Sequence, residues 1–176
     1  DALPMMTRRT LLIITDTHNP RMLDSAKLYE GAASVVVIDH HRKMVDHIDN
    51  AVIFYHEPYS SSASEMVAEL VQYLSGCTIS RLDAEALLAG IMLDTRSFVM
   101  KAGVRTFEAA AYLRRLGADT VEVKRLFSGS MELYKEKTDI VSHAKLYGRT
   151  AIACDQEGGG SQRRIAASQG ADELLY

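Results

Sequence analysis

The sequence predicts an α/β domain, a parallel sheet with helices on both faces, followed by the start of a second α/β domain. Three observations lead there. Short runs of β-branched residues alternate with helical stretches, and strand, helix and strand recur within thirty residues, which is βαβ spacing. Three apolar segments each end in an aspartate, at Asp16, Asp39 and Asp94. A mixed-charge stretch at 131–147, carrying Glu132, Lys135, Glu136, Lys137 and Asp139, reads as a solvated connector before a further strand and helix.

The elements follow in order. Residues 10–15 (Thr-Leu-Leu-Ile-Ile-Thr) form a buried strand, and a helix starts at Asn19-Pro20, an N-cap followed by proline in the first turn. Gly31 stops that helix, and 34–38 is the second strand. Residues 51–55 make a third, shorter strand. Ser61 or Ser62 caps a helix over 63–75, with Glu65 in its first turn favouring the helix dipole. Ser80 caps a helix that is apolar nearly all round between Ala84 and Leu93 and so is expected to be buried on most sides. Helices at 104–116 and 119–127 follow, the first closed by Gly117 and the second capped by Asp119 or Thr120. After the connector come a strand at 149–154, a glycine-rich loop at 157–160 and a helix at 161–175. The expected organisation is one domain over 1–130, a connecting helix over 131–148 and the beginning of a second domain over 149–176.

Composition narrows the function classes. The chain has 176 residues, 47% of them hydrophobic, enough for a core without staples. A net charge of −3 gives no polyelectrolyte footprint for a long nucleic acid. Cys77 and Cys154 have no CxxC spacing, so a reduced compartment is expected. No apolar run approaches a membrane span and no signal peptide is visible. Because the chain opens at Asp1 almost directly into a strand, it is expected to be a soluble piece of a longer protein.

The chemistry gathers at Asp39-His40-His41, delivered by the strand Ser34-Val-Val-Val-Ile38 to the place where parallel sheets present ligands. Asp16, Asp39 and Asp94 would repel one another beside those histidines unless a cation lay among them. Carboxylate with imidazole suits Mn²⁺, Fe²⁺, Zn²⁺ or Co²⁺, with manganese placed first; no thiolate set points to a structural zinc knot. His18 and His47 stand in polar contexts and are expected to be exposed. Arg96, close behind Asp94, is the best candidate to hold a phosphate; for Arg42 and Lys43 a solvated surface role is equally open. Thr106 and the serines at 61, 62 and 64 are read first as helix caps, with phosphate contact as the alternative.

Thr15-Asp16-Thr17-His18, Ile38-Asp39-His40-His41-Arg42 and Gly90-Ile91-Met92-Leu93-Asp94-Thr95 resemble successive motifs of the DHH phosphoesterase superfamily. The stretch His56-Glu-Pro-Tyr-Ser-Ser-Ser, then Gly103-Val-Arg-Thr-Phe-Glu-Ala-Ala110 with Leu113-Arg-Arg, and the segment from Ile165 to Leu175 narrow the resemblance. They are similar to the catalytic region of membrane-anchored, GdpP-type cyclic-di-AMP phosphodiesterases. The resemblance implies two manganese ions per complete site. Asp16 bridges them, His40 and Asp94 ligate the second ion, Asp39 orients an imidazole, and His41 faces the phosphate as electrophile or proton donor. It implies hydrolysis of a cyclic dinucleotide to linear pApA, a homodimer, and a place at the cytoplasmic face of the cell membrane through segments outside this chain.

The sequence departs from that family in two places. No His-x-x-x-Asp-x-Asp element occurs, so most ligands of the first ion are absent and about half of an active site is expected here. No Gly-Gly-Gly-His motif occurs either; Gly158-Gly-Gly-Ser161 is a superficial likeness read as a flexible turn. Two alternatives stay open: a nano-RNA phosphodiesterase or exonuclease of the same superfamily, and a non-catalytic fragment that dimerises or binds nucleotide.

Overall fold

The computed structural model describes residues 2–154 and 160–175. The chain divides into two compact units, Asp1–Leu126 and Phe127–Tyr176.

The first unit is built on a three-stranded parallel sheet in the order β1 (Leu11–Thr15), β2 (Ser34–Asp39), β3 (Ile53–His56). Val35, Val37 and Ile38 are buried on the central strand, as a β-branched run flanked on both sides requires. The register pairs Thr15 with Ile38 and Asp39 with His56, so all three strands end at one level.

The connection from β1 to β2 is broken where a single helix was expected. Asn19 caps a 3₁₀ turn at Pro20–Met22, the chain extends at Leu23, and Ser25 caps a short helix, α1 (Ala26–Gly31). Two capping side chains six residues apart each start their own turn, which a single helix could use only once. Gly31 is the last helical residue, not the residue beyond the end.

Four helices complete this unit. Ser62 caps α2 (Ala63–Leu70), which tightens into a 3₁₀ turn at Val71–Tyr73. Ser80 and Asp83 form a reciprocal capping box on α3 (Arg81–Asp94). Helix α4 (Val104–Arg115) starts at Gly103, whose N–H donates to the Thr106 hydroxyl over 3.0 Å, and ends before Gly117 at φ 98°. In α5 (Thr120–Leu126) the amide of Val121 donates to Asp119 over 2.8 Å.

Two apolar clusters hold these elements. Ala68, Ala84, Leu88, Ile91, Ala109, Leu113, Ala118 and Val123 join α2 to α5. Ile14, Val35, Val37 and Ile48 pack on one sheet face with Leu12, Leu23, Tyr29 and Phe54 around them. Burying a side chain the size of Ile91 or Leu113 contributes about 1.5–3 kcal/mol each. The burial of α3 is one-sided: Ala84, Leu88 and Ile91 form a stripe at helical spacing, while Leu82 and Leu93 are exposed. Its neighbours α2, α4 and α5 cover that stripe, with Leu87, Ala89 and Met92 partly buried beside it.

In the second unit the long helix also stops early. Helix α6 (Met131–Ser142) is followed by an antiparallel hairpin of β4 (Lys145–Tyr147) and β5 (Thr150–Ile152), then by α7 (Ser161–Glu173). Gly148 at φ 63° opens the two-residue turn between the strands, so residues expected to continue the helix pair as a strand. The glycine-rich loop expected at 157–160 falls, Gly160 apart, outside the described residues. Among the described residues no helix is long and apolar enough to cross a membrane.

Candidate metal centre

The level strand ends bring the first acid to the histidines. Asp16 follows β1, and its N–H donates to the carbonyl of Ile38 over 3.0 Å. That bond carries the ladder one residue past the strand and turns Asp16 to φ 65°, a left-handed conformation that aspartate tolerates better than most residues. Its carboxylate then faces His40. Asp16 Oδ1 lies 3.2 Å from His40 Nε2, and Asp94 Oδ2, at the last residue of α3, lies 3.5 Å from the same nitrogen. Residues 16, 40 and 94, far apart in sequence, therefore meet around one imidazole.

His41 completes the group. Asp16, His40 and His41 each offer a ligand atom, and these atoms all lie within 4.8 Å of one another. His41 Nδ1 is 4.0 Å from Asp16 Oδ1 but only 2.7 Å from Asp39 Oδ1. With Nδ1 engaged by Asp39, Nε2 is the ring nitrogen left for a cation or a phosphate oxygen.

Asp39 is fully buried and works through others. Its Oδ1 accepts the N–H groups of His40 (2.8 Å) and His41 (3.2 Å) as well as the His41 ring, and its Oδ2 bonds Nδ1 of His18. Burial alone raises its pKa, but the hydrogen bonds from His41 and His18 outweigh it and hold the carboxyl below the usual aspartate value.

His18 corrects the sequence expectation of an exposed residue: it is 2% exposed. Its Nε2 accepts the N–H of Met44 over 3.0 Å, so the ring proton resides on Nδ1 and is donated to Asp39. His56, at the end of β3, donates Nε2–H to the carbonyl of His41 over 2.5 Å and stands edge-on to His18 with ring centres 5.4 Å apart. Sequence reasoning missed both rings. The signal available for His18 was its place two residues after Asp16 within the quoted motif.

Asp94 has the opposite electrostatics to Asp39. Burial and then the charge of Asp16 raise its pKa, with His40, His41 and Lys101 pulling the other way. Two carboxylates facing one imidazole, one of them partly desolvated, form a donor set that a divalent cation fits by both charge and atom type. Beside them opens a cleft of about 340 Å³ lined by Asp16, Asp94, Ser64, Val67, Gly90 and Leu93, among others.

The remaining candidates take varied places. Arg96 lies two residues beyond Asp94 at φ 48°, in a left-handed turn with Ser97 and Phe98. Arg42 is exposed, and the Lys43 ammonium stands 5.3 Å over the Phe54 ring. Arg105 pairs with both oxygens of Glu69, at 2.8 and 2.6 Å. Ser62 caps α2, while Ser60 and Ser61 turn to Glu65.

Comparison with known proteins matches residues 1–91 to the model of the DHH family, N-terminal domain. Over 99% of its length the chain is 37% identical to the cyclic-di-AMP phosphodiesterase PdeA of Listeria monocytogenes and 40% identical to the cyclic-di-AMP phosphodiesterase GdpP of Geobacillus thermodenitrificans. It spans 27% of the length of each, about a quarter. Among solved structures, an exopolyphosphatase-related protein from Bacteroides fragilis superposes with a TM-score of 0.68 over 79% of this chain and 42% of its own; at 22% identity that likeness concerns the fold. Because the family model spans more than half of the 176 residues, the chain belongs to the DHH family.

Proposed function

We propose that this chain is part of a metal-dependent phosphodiesterase that hydrolyses cyclic-di-AMP to linear pApA. The observation that carries the reading is the meeting of Asp16, His40 and His41 ligand atoms within 4.8 Å, with Asp94 3.5 Å from His40. The similarity to two cyclic-di-AMP phosphodiesterases over 99% of the chain supplies the substrate class.

Asp16, His40 and Asp94 are the residues that would hold a divalent ion, manganese first for a donor set of carboxylates with imidazole, and Asp16 would share a second. A bound ion of this kind supplies hydroxide and neutralises phosphate charge. The chain's own residues do the rest. Asp39 fixes the plane of His41 and its Nδ1 proton, so that Nε2 can present a proton to the leaving ribose oxygen. Arg96 would face the phosphate. Residues 1–130 would form the DHH phosphoesterase domain, 131–148 a connecting segment and 149–176 the start of the associated C-terminal domain. The whole protein would act as a homodimer at the cytoplasmic face of the membrane.

The test is a manganese-supplemented assay of cyclic-di-AMP, pApA and pGpG, run on this chain and on the longer protein that contains it. Turnover of cyclic-di-AMP by the longer protein, abolished by His40→Ala with the fold intact, is the expected result. Hydrolysis of only the linear dinucleotides would move the protein to the nano-RNA class. No turnover of any of the three would leave a non-catalytic, nucleotide-binding role.

A further inference from the structure

One buried charge has no part in that chemistry. Glu65, in the first turn of α2, is 1% exposed, and no cation accompanies it in its described contacts. Four neutral donors surround it instead. Oε1 accepts the Ser60 hydroxyl over 2.9 Å; Oε2 accepts the hydroxyls of Ser61 (2.5 Å) and Thr106 (2.6 Å) and, more weakly, the Ser61 amide (3.4 Å). Burial pushes its pKa up, but the bonds from Ser61, Thr106 and Ser60 bring it below the usual glutamate value, so the group is ionised at neutral pH. Keeping a carboxylate there costs desolvation that an apolar residue would avoid.

The geometry of the neighbouring residue gives that cost a use. Thr106 belongs to α4 and lies 41 residues away in sequence, so Glu65 ties the start of α2 to the start of α4. Ser64, next to Glu65, is pressed against Gly90 of α3 so closely that a Cβ at Gly90 would lie 2.1 Å from its Oγ and 2.9 Å from its Cβ. Gly90 lies one helical turn before Asp94, on the same face. We infer that Glu65 is a positioning residue for the metal centre: by clamping α2 between the serine turn and α4, it fixes where Ser64 meets Gly90 and hence where α3 presents Asp94 to His40. The inference rests on the role proposed for Asp94.

The experiment has two arms on the same protein. In the first, hydrogen exchange is followed without added metal. Glu65→Ala should accelerate the amides of 92–95 about tenfold, along with those of 103–107, relative to a Leu113→Ala control of equal thermal stability; Glu65→Gln, which keeps an acceptor, should restore most of the protection. In the second, Mn²⁺ is titrated: Glu65→Ala should weaken binding about 10-fold while Leu113→Ala leaves it unchanged. Should Glu65→Ala fail to fold, Ser61→Ala, which removes one donor, gives the same pattern at roughly a third of the amplitude. Faster exchange confined to 60–66 and 103–107, or an equal loss of Mn²⁺ affinity in the Leu113→Ala control, would overturn the clamp. If the longer wild-type protein that contains this chain binds no Mn²⁺, the metal reading fails, and the exchange arm still decides whether Glu65 governs the end of α3.

Discussion

Gly90→Ala turns the contact between α2 and α3 into a measurement. The added Cβ would lie 2.1 Å from Ser64 Oγ and 2.9 Å from Ser64 Cβ. The hydroxyl can swing to another rotamer, but Cβ is fixed to the α2 backbone. Carbon atoms rest about 3.5–4.0 Å apart, so the helices must separate by roughly 0.6–1 Å. Overpacking of this kind costs about 1–3 kcal/mol, and the better helix propensity of alanine returns about 1 kcal/mol. The net loss is thus about 0–2 kcal/mol, a fall of a few degrees in Tm for a unit of this size. Asp94, one turn further along a rigid helix, moves by a similar distance, and metal–ligand bonds tolerate only about 0.2 Å. Mn²⁺ affinity should therefore drop by about 10-fold or more while the protein stays folded at 25 °C. Calorimetric titration and a thermal melt on the same sample separate the two effects. Adding Ser64→Gly removes both clashing atoms and should restore binding. Full Mn²⁺ affinity in Gly90→Ala, or no recovery in the double variant, would refute the claim that this contact sets the position of Asp94.

Asp94 and Asp39 give two further outcomes of opposite sign. Asp94 has a raised pKa in the folded state, from burial and the charge of Asp16, so its ionised form opposes folding above the ordinary aspartate range and stops doing so as pH falls below it. Asp94→Asn should abolish divalent-cation binding yet raise Tm of the metal-free protein at pH 7 and leave it unchanged near pH 3; partial exposure keeps the gain below about 1 kcal/mol. Asp39 has the opposite sign: its depressed pKa contributes stability above the unfolded value, lost as pH drops through the folded one. Asp39→Asn should cost about 2–4 kcal/mol at pH 7, because an amide puts N–H against an imidazole donor, and the gap between urea midpoints at pH 7 and pH 3 should narrow.

How much of this was legible in the sequence depended on the range of the interaction that decides each feature. Ser34 to Ile38 shows its burial through β-branching alone, and the Ser80–Asp83 capping box is complete within four residues. The ends of β1, β2 and α3 can be read for the same reason, since each apolar run stops at an acid. Features set by distant partners were hidden. His18 is buried because Asp39, 21 residues on, accepts the hydrogen bond from its Nδ1–H. Glu65 looks like an ordinary first-turn acid until Thr106 arrives from α4. The broken helix after β1 was lost to competition between two local caps, Asn19 and Ser25, which composition cannot rank. The hairpin after α6 was lost because β4 has no buried residue to mark it, so that only the turn at Gly148 announces it.

The placement of backbone strain supports the location of the site independently of any side-chain likeness. Among the described residues, five that are not glycine have positive φ: Asp16 at 65°, Arg96 at 48°, Ser97 at 56°, Phe98 at 69° and Lys101 at 54°. One is a carboxylate of the cluster, and the other four fall within seven residues after Asp94. Left-handed conformations cost of order 1 kcal/mol or more each in such residues and persist only where surrounding bonds enforce them. The enforcing bonds are visible. Asp16 is held by Ile38, and the turn after Asp94 is pinned by Thr95, whose buried hydroxyl donates to the Ile91 carbonyl over 2.6 Å and accepts the Phe98 amide over 2.9 Å. A chain selected for stability alone would place glycine at such positions or relax them. Concentrating the strain on the two segments that bring carboxylates to His40 would fix those carboxylates in advance, as the proposed metal site requires.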